Sequence, residues 1–106
     1  MKAGEIIGIV DSIKKNEIGE DVKFGWLGDA EGRVLCEIKK MQAVDVSPIT
    51  SGECELSVPS PYSKMYSIYL VAMICFFTGD YDGYVKANTE YEQTFSEYAK
   101  YCIRTR

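Results

Sequence analysis

Residues 59–102 read PSPYSKMYSIYLVAMICFFTGDYDGYVKANTEYEQTFSEYAKYC, and this stretch decides the fold. Its first half carries an apolar run from Ile68 to Phe77, broken only by Tyr69. That run is too short to span a bilayer and fits a buried core helix. Pro61 stands where a helix begins, since a first-turn proline forfeits no hydrogen bond. Thr78-Gly79-Asp80 ends the run, with Gly79 suited to a left-handed cap. The second half is more polar and strongly periodic. Tyr81, Tyr84, Asn88, Tyr91, Phe95, Tyr98 and Cys102 recur at threes and fours, which makes one face of an amphipathic helix. Two helices joined by so short a loop are antiparallel neighbours, so a C-terminal helical hairpin is expected.

Upstream, Ala3 to Asn16 reads as a first helix with Ile6, Ile9 or Val10, and Ile13 on its inner face. EIIGIV also fits a short strand by its β-branched content. Asn16 to Gly19 connects to a second helix from Glu20 to Met41. Leu27, Ala30 or Glu31, Val34, Ile38 and Met41 form its stripe, and Trp26 anchors it. Glu20 and Asp21 oppose the positive end of its dipole. Gly25, Gly28 and Gly32 weaken it by propensity. They permit close approach of another backbone or subunit, or mark a helix that needs tertiary packing to form. Residues 43–58 have no helical period. Pro48, Ser51-Gly52 and the alternation Glu53 to Val58 suggest a short β-hairpin-like loop. The expected fold is therefore all-α: a single domain, 1–106, of about four helices with this one irregular loop.

The helices of the hairpin should bury Tyr69, Leu70, Met73, Phe77, Tyr91, Phe95 and Tyr98 against Trp26, Leu27, Val34 and Ile38. Asn88 sits on the same seam, where a polar group is costly unless hydrogen-bonded. Its amide is expected to reach a backbone group of the connecting loop or second helix, fixing how the last helix docks.

Composition narrows the function. The net charge of −4 argues against sequence-independent binding to nucleic acid. The chain has no histidine, so ordinary Ser-His and Cys-His pairs are excluded. Its glycines match neither phosphate-loop nor dinucleotide patterns. Asp80-Tyr81-Asp82-Gly83 lacks the further oxygen ligands of a calcium loop, and its acids fit a helix cap better. Cys36, Cys54, Cys75 and Cys102 show no metal spacing and read as small apolar residues of a reducing cytoplasm. No leader or membrane segment is expected. No catalytic, cofactor-binding or metal residue is assigned.

Tyrosine is the unusual component, with eight in the chain. Tyr66, Tyr69, Tyr91 and Tyr98 are expected in the core with hydroxyls at the domain edge. Tyr62, Tyr81 and Tyr101 are interface candidates, beside Gly25, Gly28 and Gly32.

Leu56-Ser57-Val58-Pro59-Ser60-Pro61-Tyr62, leading into Tyr66, Tyr69-Leu70 and Ala72, resembles the head–tail connector, or adaptor, proteins of tailed bacteriophages and prophages. Small members show a similar LxVPxPY approach and YxxYLxAxI helix. Asp80-Tyr81-Asp82-Gly83-Tyr84 and the series Tyr91, Phe95, Tyr98 match the family's last helix. Residues 26–34, WLGDAEGRV, match its WLxxLEGxI element. The likeness covers residues 20–41 and 56–104. Ala30 replaces a larger aliphatic residue, Val85 to Asn88 keep only part of an Asn-rich segment, and residues 42–55 match nothing in the pattern.

The resemblance implies an all-α structural protein without enzymatic activity. It implies assembly into a ring of roughly twelve copies. The ring's partners would be the portal protein and a tail-proximal connector protein. Its sites would be the host bacterial cytoplasm during assembly and then the virion neck. The alternative is a small all-α protein-binding or regulatory module acting as a monomer or dimer.

Overall fold

The structure, a computed structural model, describes residues 1–105. Among these residues four α-helices and two short helical turns form, and no β-strand does. The helices are α1 (Ala3–Ile13), α2 (Glu20–Arg33), α3 (Lys64–Thr78) and α4 (Tyr81–Arg104).

α3 and α4 are the expected antiparallel hairpin, and their mutual packing is the most extensive in the molecule. The turn is built as its residues dictate. Gly79 caps α3 at φ 84°, and Asp80 N–H donates to the Cys75 carbonyl at 2.9 Å. Asp80 then caps α4 through its side chain, which accepts from Gly83 N–H at 3.0 Å. Leu70, Tyr91, Phe95 and Tyr98 are buried as expected, against Trp26, Leu27 and Val34 of α2 and the start of its π-type extension. Tyr69 packs on Tyr91 with ring centroids 4.9 Å apart.

Several boundaries differ from the sequence reading. Pro61 lies in a turn before α3 rather than in its first helical turn, and α3 starts at Lys64. Phe77 is 64% exposed, because the inner face of α3 runs instead through Met65, Tyr66, Leu70 and Ile74. α1 stops at Ile13 and buries Ala3, Ile6, Ile7 and Val10; Ile9 and Ile13 face out. EIIGIV is helical, so the strand alternative does not form. α2 does not run regularly to Met41. It widens into a π-type turn at Val34–Ile38, where Lys39 N–H reaches the Val34 carbonyl at 3.1 Å. Lys40 then leaves with φ 61°, and Met41 is outside the helix.

The β-hairpin-like loop is the largest correction. Its two arms do not pair with each other. Ala43–Asp45 forms a 3-10 turn, and the later arm pairs with the N-terminus. Ala3 N–H donates to the Cys54 carbonyl, Gly4 N–H to the Gly52 carbonyl and Leu56 N–H to the Met1 carbonyl, all at 2.9–3.0 Å. The physical reason is that the first N–H groups of a helix have no internal partner. This chain caps α1 with the carbonyls of Gly52 and Cys54, while Glu5 Oε1 accepts from the Lys2 N–H at 3.1 Å. The crossing also explains two glycines. A Cβ on Gly4 would stand 3.2 Å from the Gly52 Cα and carbonyl oxygen.

Candidate interaction surface

Three polar or aromatic clusters position the surface. The first is interior. Glu31 of α2 is 6% exposed and lies beneath residues 57–58 and α3. Its Oε1 accepts from the Tyr66 hydroxyl at 2.7 Å and from Ser57 Oγ at 2.8 Å; its Oε2 accepts from Ser57 N–H at 2.8 Å. Val58 N–H donates to the Tyr66 oxygen at 3.2 Å. Burial, then the carboxylate beside it, pushes the Tyr66 hydroxyl far above the usual phenol range. A carboxylate holding three donors is stable where an unpaired one would not be. The node ties α2, the segment before α3, and α3 into one rigid unit. Tyr66 is thus a core residue, but its hydroxyl ends on Glu31 rather than at the domain edge. The α2 stripe, which admits Ala30 or Glu31, hinted at this; nothing local named Ser57 as the partner.

The second cluster fastens α2 to α4. Arg33 grips Glu92 with two parallel bonds, Nη1 to Oε1 at 2.9 Å and Nη2 to Oε2 at 3.0 Å, and reaches Glu37 from Nε at 2.9 Å. Its guanidinium lies 3.9 Å over the Phe95 ring centre. The Glu92 contact, foremost, holds the guanidinium more firmly protonated than usual. A further pair joins buried Lys23 to Asp11 at 2.6 Å, locking α1 to α2. Neither pair was evident from spacing, because the partners are distant in sequence.

The third cluster lies on the surface at the α3–α4 turn. Phe76, Phe77, Tyr81 and Val85 are about half exposed or more. The Phe76 ring lies 5.9 Å from Phe77, 6.1 Å from Tyr81 and 5.3 Å from Tyr84, and Phe77 leans on Trp26 at 5.3 Å. These rings form one contiguous apolar surface, of the kind that marks interaction sites on otherwise polar proteins.

The expected interface residues separate. Tyr81 belongs to this surface. Tyr62 and Tyr101 lie at the opposite end of the hairpin, their rings tilted and 5.2 Å apart beside buried Tyr98, with Lys39 over the Tyr98 ring. Tyr62 is half-buried by this cluster, while Tyr101 remains exposed. A Cβ on Gly28 would stand 3.9 Å from Ile49 and one on Gly32 3.8 Å from Val46, so the chain's own loop covers that part of α2. Gly25 is exposed, with open space beside it. The contacts at Gly28 and Gly32 are ordinary ones for a Cβ, so neither glycine is required by a close approach there.

Asn88 is half-buried, and among the described residues its amide makes no hydrogen bond, contrary to the expected docking role. Cys75 is buried and Cys102 half-buried against the Lys39 ammonium, and all four thiols are free. Among the described residues no group of three or more His, Cys, Asp or Glu side chains converges as a metal site requires. Among the same residues no helix is long and apolar enough to cross a membrane.

No protein-family model, curated protein or solved structure matches the chain.

Proposed function

We propose that this protein is a non-enzymatic helical assembly subunit that works by shape and association. More particularly, it is a head–tail connector of a tailed bacteriophage or prophage. It forms a ring between the portal and a tail-proximal connector protein, made in the host bacterial cytoplasm and carried in the virion neck. The alternative is a monomeric or dimeric binding module.

The observation that carries this reading is the apolar surface of Phe76, Phe77, Tyr81 and Tyr84 on the end of a rigid hairpin. Support also comes from where the connector-like segments fall. Residues 20–41 and 56–104 supply α2, α3 and α4, which the Glu31 node and the Arg33 clamp hold together. The poorly matching residues 42–55 lie outside that unit, as loop and α1 cap. A portal presenting many equivalent sites needs only weak individual contacts, because their avidity adds.

Deleting the gene from its own phage or prophage tests this. Induced lysates should contain filled heads and finished tails that fail to join, with joining restored by the gene in trans. Intact particles from the deletion strain would overturn the connector reading and leave the binding module in its place.

A further inference from the structure

Resting on that assembly reading, we infer that the aromatic surface receives an arginine-bearing segment of a partner protein. The surface offers what a guanidinium binds: exposed rings beside carboxylates that have no cation of their own.

The rings are Phe76, Phe77 and Tyr81, each about half exposed or more, with Val85 one turn beyond Tyr81 on α4. Asp80 and Asp82 flank Tyr81 in the chain. Asp82 also stands three residues before Val85, hence beside it on the helix surface. α2 brings two more acids to this end. Arg33 of α2 meets Glu92 of α4, and Lys39 meets Cys102 further along, so the two helices run in the same direction. Glu20 and Asp21, in the first turn of α2, therefore lie toward the start of α4. Trp26, further along α2, packs on Phe77.

All four carboxylates are exposed, and among the described residues none forms an ion pair. Asp80 accepts only from the Gly83 N–H of its own helix. Nearby cations are engaged elsewhere. Lys23 is buried against Asp11, and Lys15 lines a separate cleft with Asp11, Asn16 and Glu17. Lys86 remains, one positive charge against these four negative ones.

The chain itself shows how such a partner fits. In the Arg33 clamp the guanidinium lies 3.9 Å over the Phe95 ring centre while Glu92 grips it with two parallel bonds. The surface carries the same two chemistries, ring and carboxylate, without the guanidinium. Arginine suits it better than lysine, because its plane stacks on a ring and presents two parallel donors to a carboxylate. A purely apolar partner would leave the acids unmatched, and an acidic one would be repelled.

Trp26 is the only tryptophan and packs on Phe77 at 5.3 Å, so its fluorescence reports on this surface. The probe is a short acetylated peptide alternating arginine with leucine, compared with peptides that carry lysine or glutamine in place of arginine. The arginine peptide should bind saturably, more tightly than the lysine peptide, and more weakly as salt rises. The glutamine peptide should bind more weakly than either. Tyr81→Ser should weaken the arginine peptide at least about tenfold, as loss of an aromatic anchor does. Asp82→Asn should weaken it too, whereas Glu97→Gln, exposed toward the other end of α4, should change nothing. Circular dichroism should show wild-type helicity in every variant, because the changed side chains are exposed. Absence of saturable binding up to millimolar peptide overturns the inference. So does a lysine or glutamine peptide that binds as tightly, or binding indifferent to Tyr81→Ser or to Asp82→Asn. In each of these cases the connector reading stands; that reading fails only on the joining of heads to tails.

Discussion

Tyr66→Phe removes one oxygen and tests the interior node. The ring still fits, so packing is unchanged and the loss is polar. Glu31 keeps both Ser57 donors but loses the 2.7 Å hydroxyl, and Val58 N–H loses its acceptor inside the core. A hydrogen bond to a charged group contributes about 1.5–3 kcal/mol, and a stranded buried donor costs about 1–3 kcal/mol. Partial relaxation lets these overlap, so the expected loss is about 3 kcal/mol, a large share of a small domain's stability. Urea unfolding should show a lower midpoint with an unchanged slope, and the melting temperature should fall by about 12–24 °C. Tyr69→Phe is the control. Its hydroxyl has no partner among the described residues, so stability should stay within about 0.5 kcal/mol. If Tyr66→Phe behaves like Tyr69→Phe, the node does not hold α2, residues 57–58 and α3 together as argued.

The remaining predictions follow from single sites. Leu70→Ala, in a fully buried position, should lose roughly 2–5 kcal/mol in urea unfolding. Gly8→Ala, on an open helix surface, should raise stability by about 0.5–1 kcal/mol. Gly4→Ala should lower it, because backbone of residue 52 stands 3.2 Å from the new Cβ. The Lys23 ammonium holds the Asp11 carboxyl below its ordinary value. That contribution is present above about pH 4 and lost as pH falls through the lower folded-state value, so Asp11→Asn should flatten acid unfolding curves. Burial raises the Tyr66 hydroxyl, so the folded chain keeps a proton that the unfolded chain releases near pH 10. Stability should therefore decline as pH rises above about 10, and less steeply in Tyr66→Phe.

The hairpin was legible because its signals are local. Gly79 and Asp80 each carry out a backbone task that only a few residue types can do, and the aromatic repeat of α4 follows one helix face. The inner face of α3 was harder. Its apolar run surrounds the helix, so periodicity could not choose between Phe77 and Ile74. The loop failed for a different reason. Alternation at Glu53 to Val58 does show an extended segment, but its partner is the N-terminus, more than fifty residues away in sequence. Tyr81 was readable as an exposed ring at the start of the last helix. Phe76 and Phe77 were not, because an exposed ring beside a buried run looks like core. Glu31, Lys23 and Arg33 depend on partners that converge only in three dimensions.

Electron microscopy of the purified protein mixed with the portal from its own genome tests the central claim most directly. The connector reading predicts closed rings of this chain stacked coaxially on the portal, with no such stacks when the portal is omitted. A portal that remains bare at every concentration and salt would contradict it.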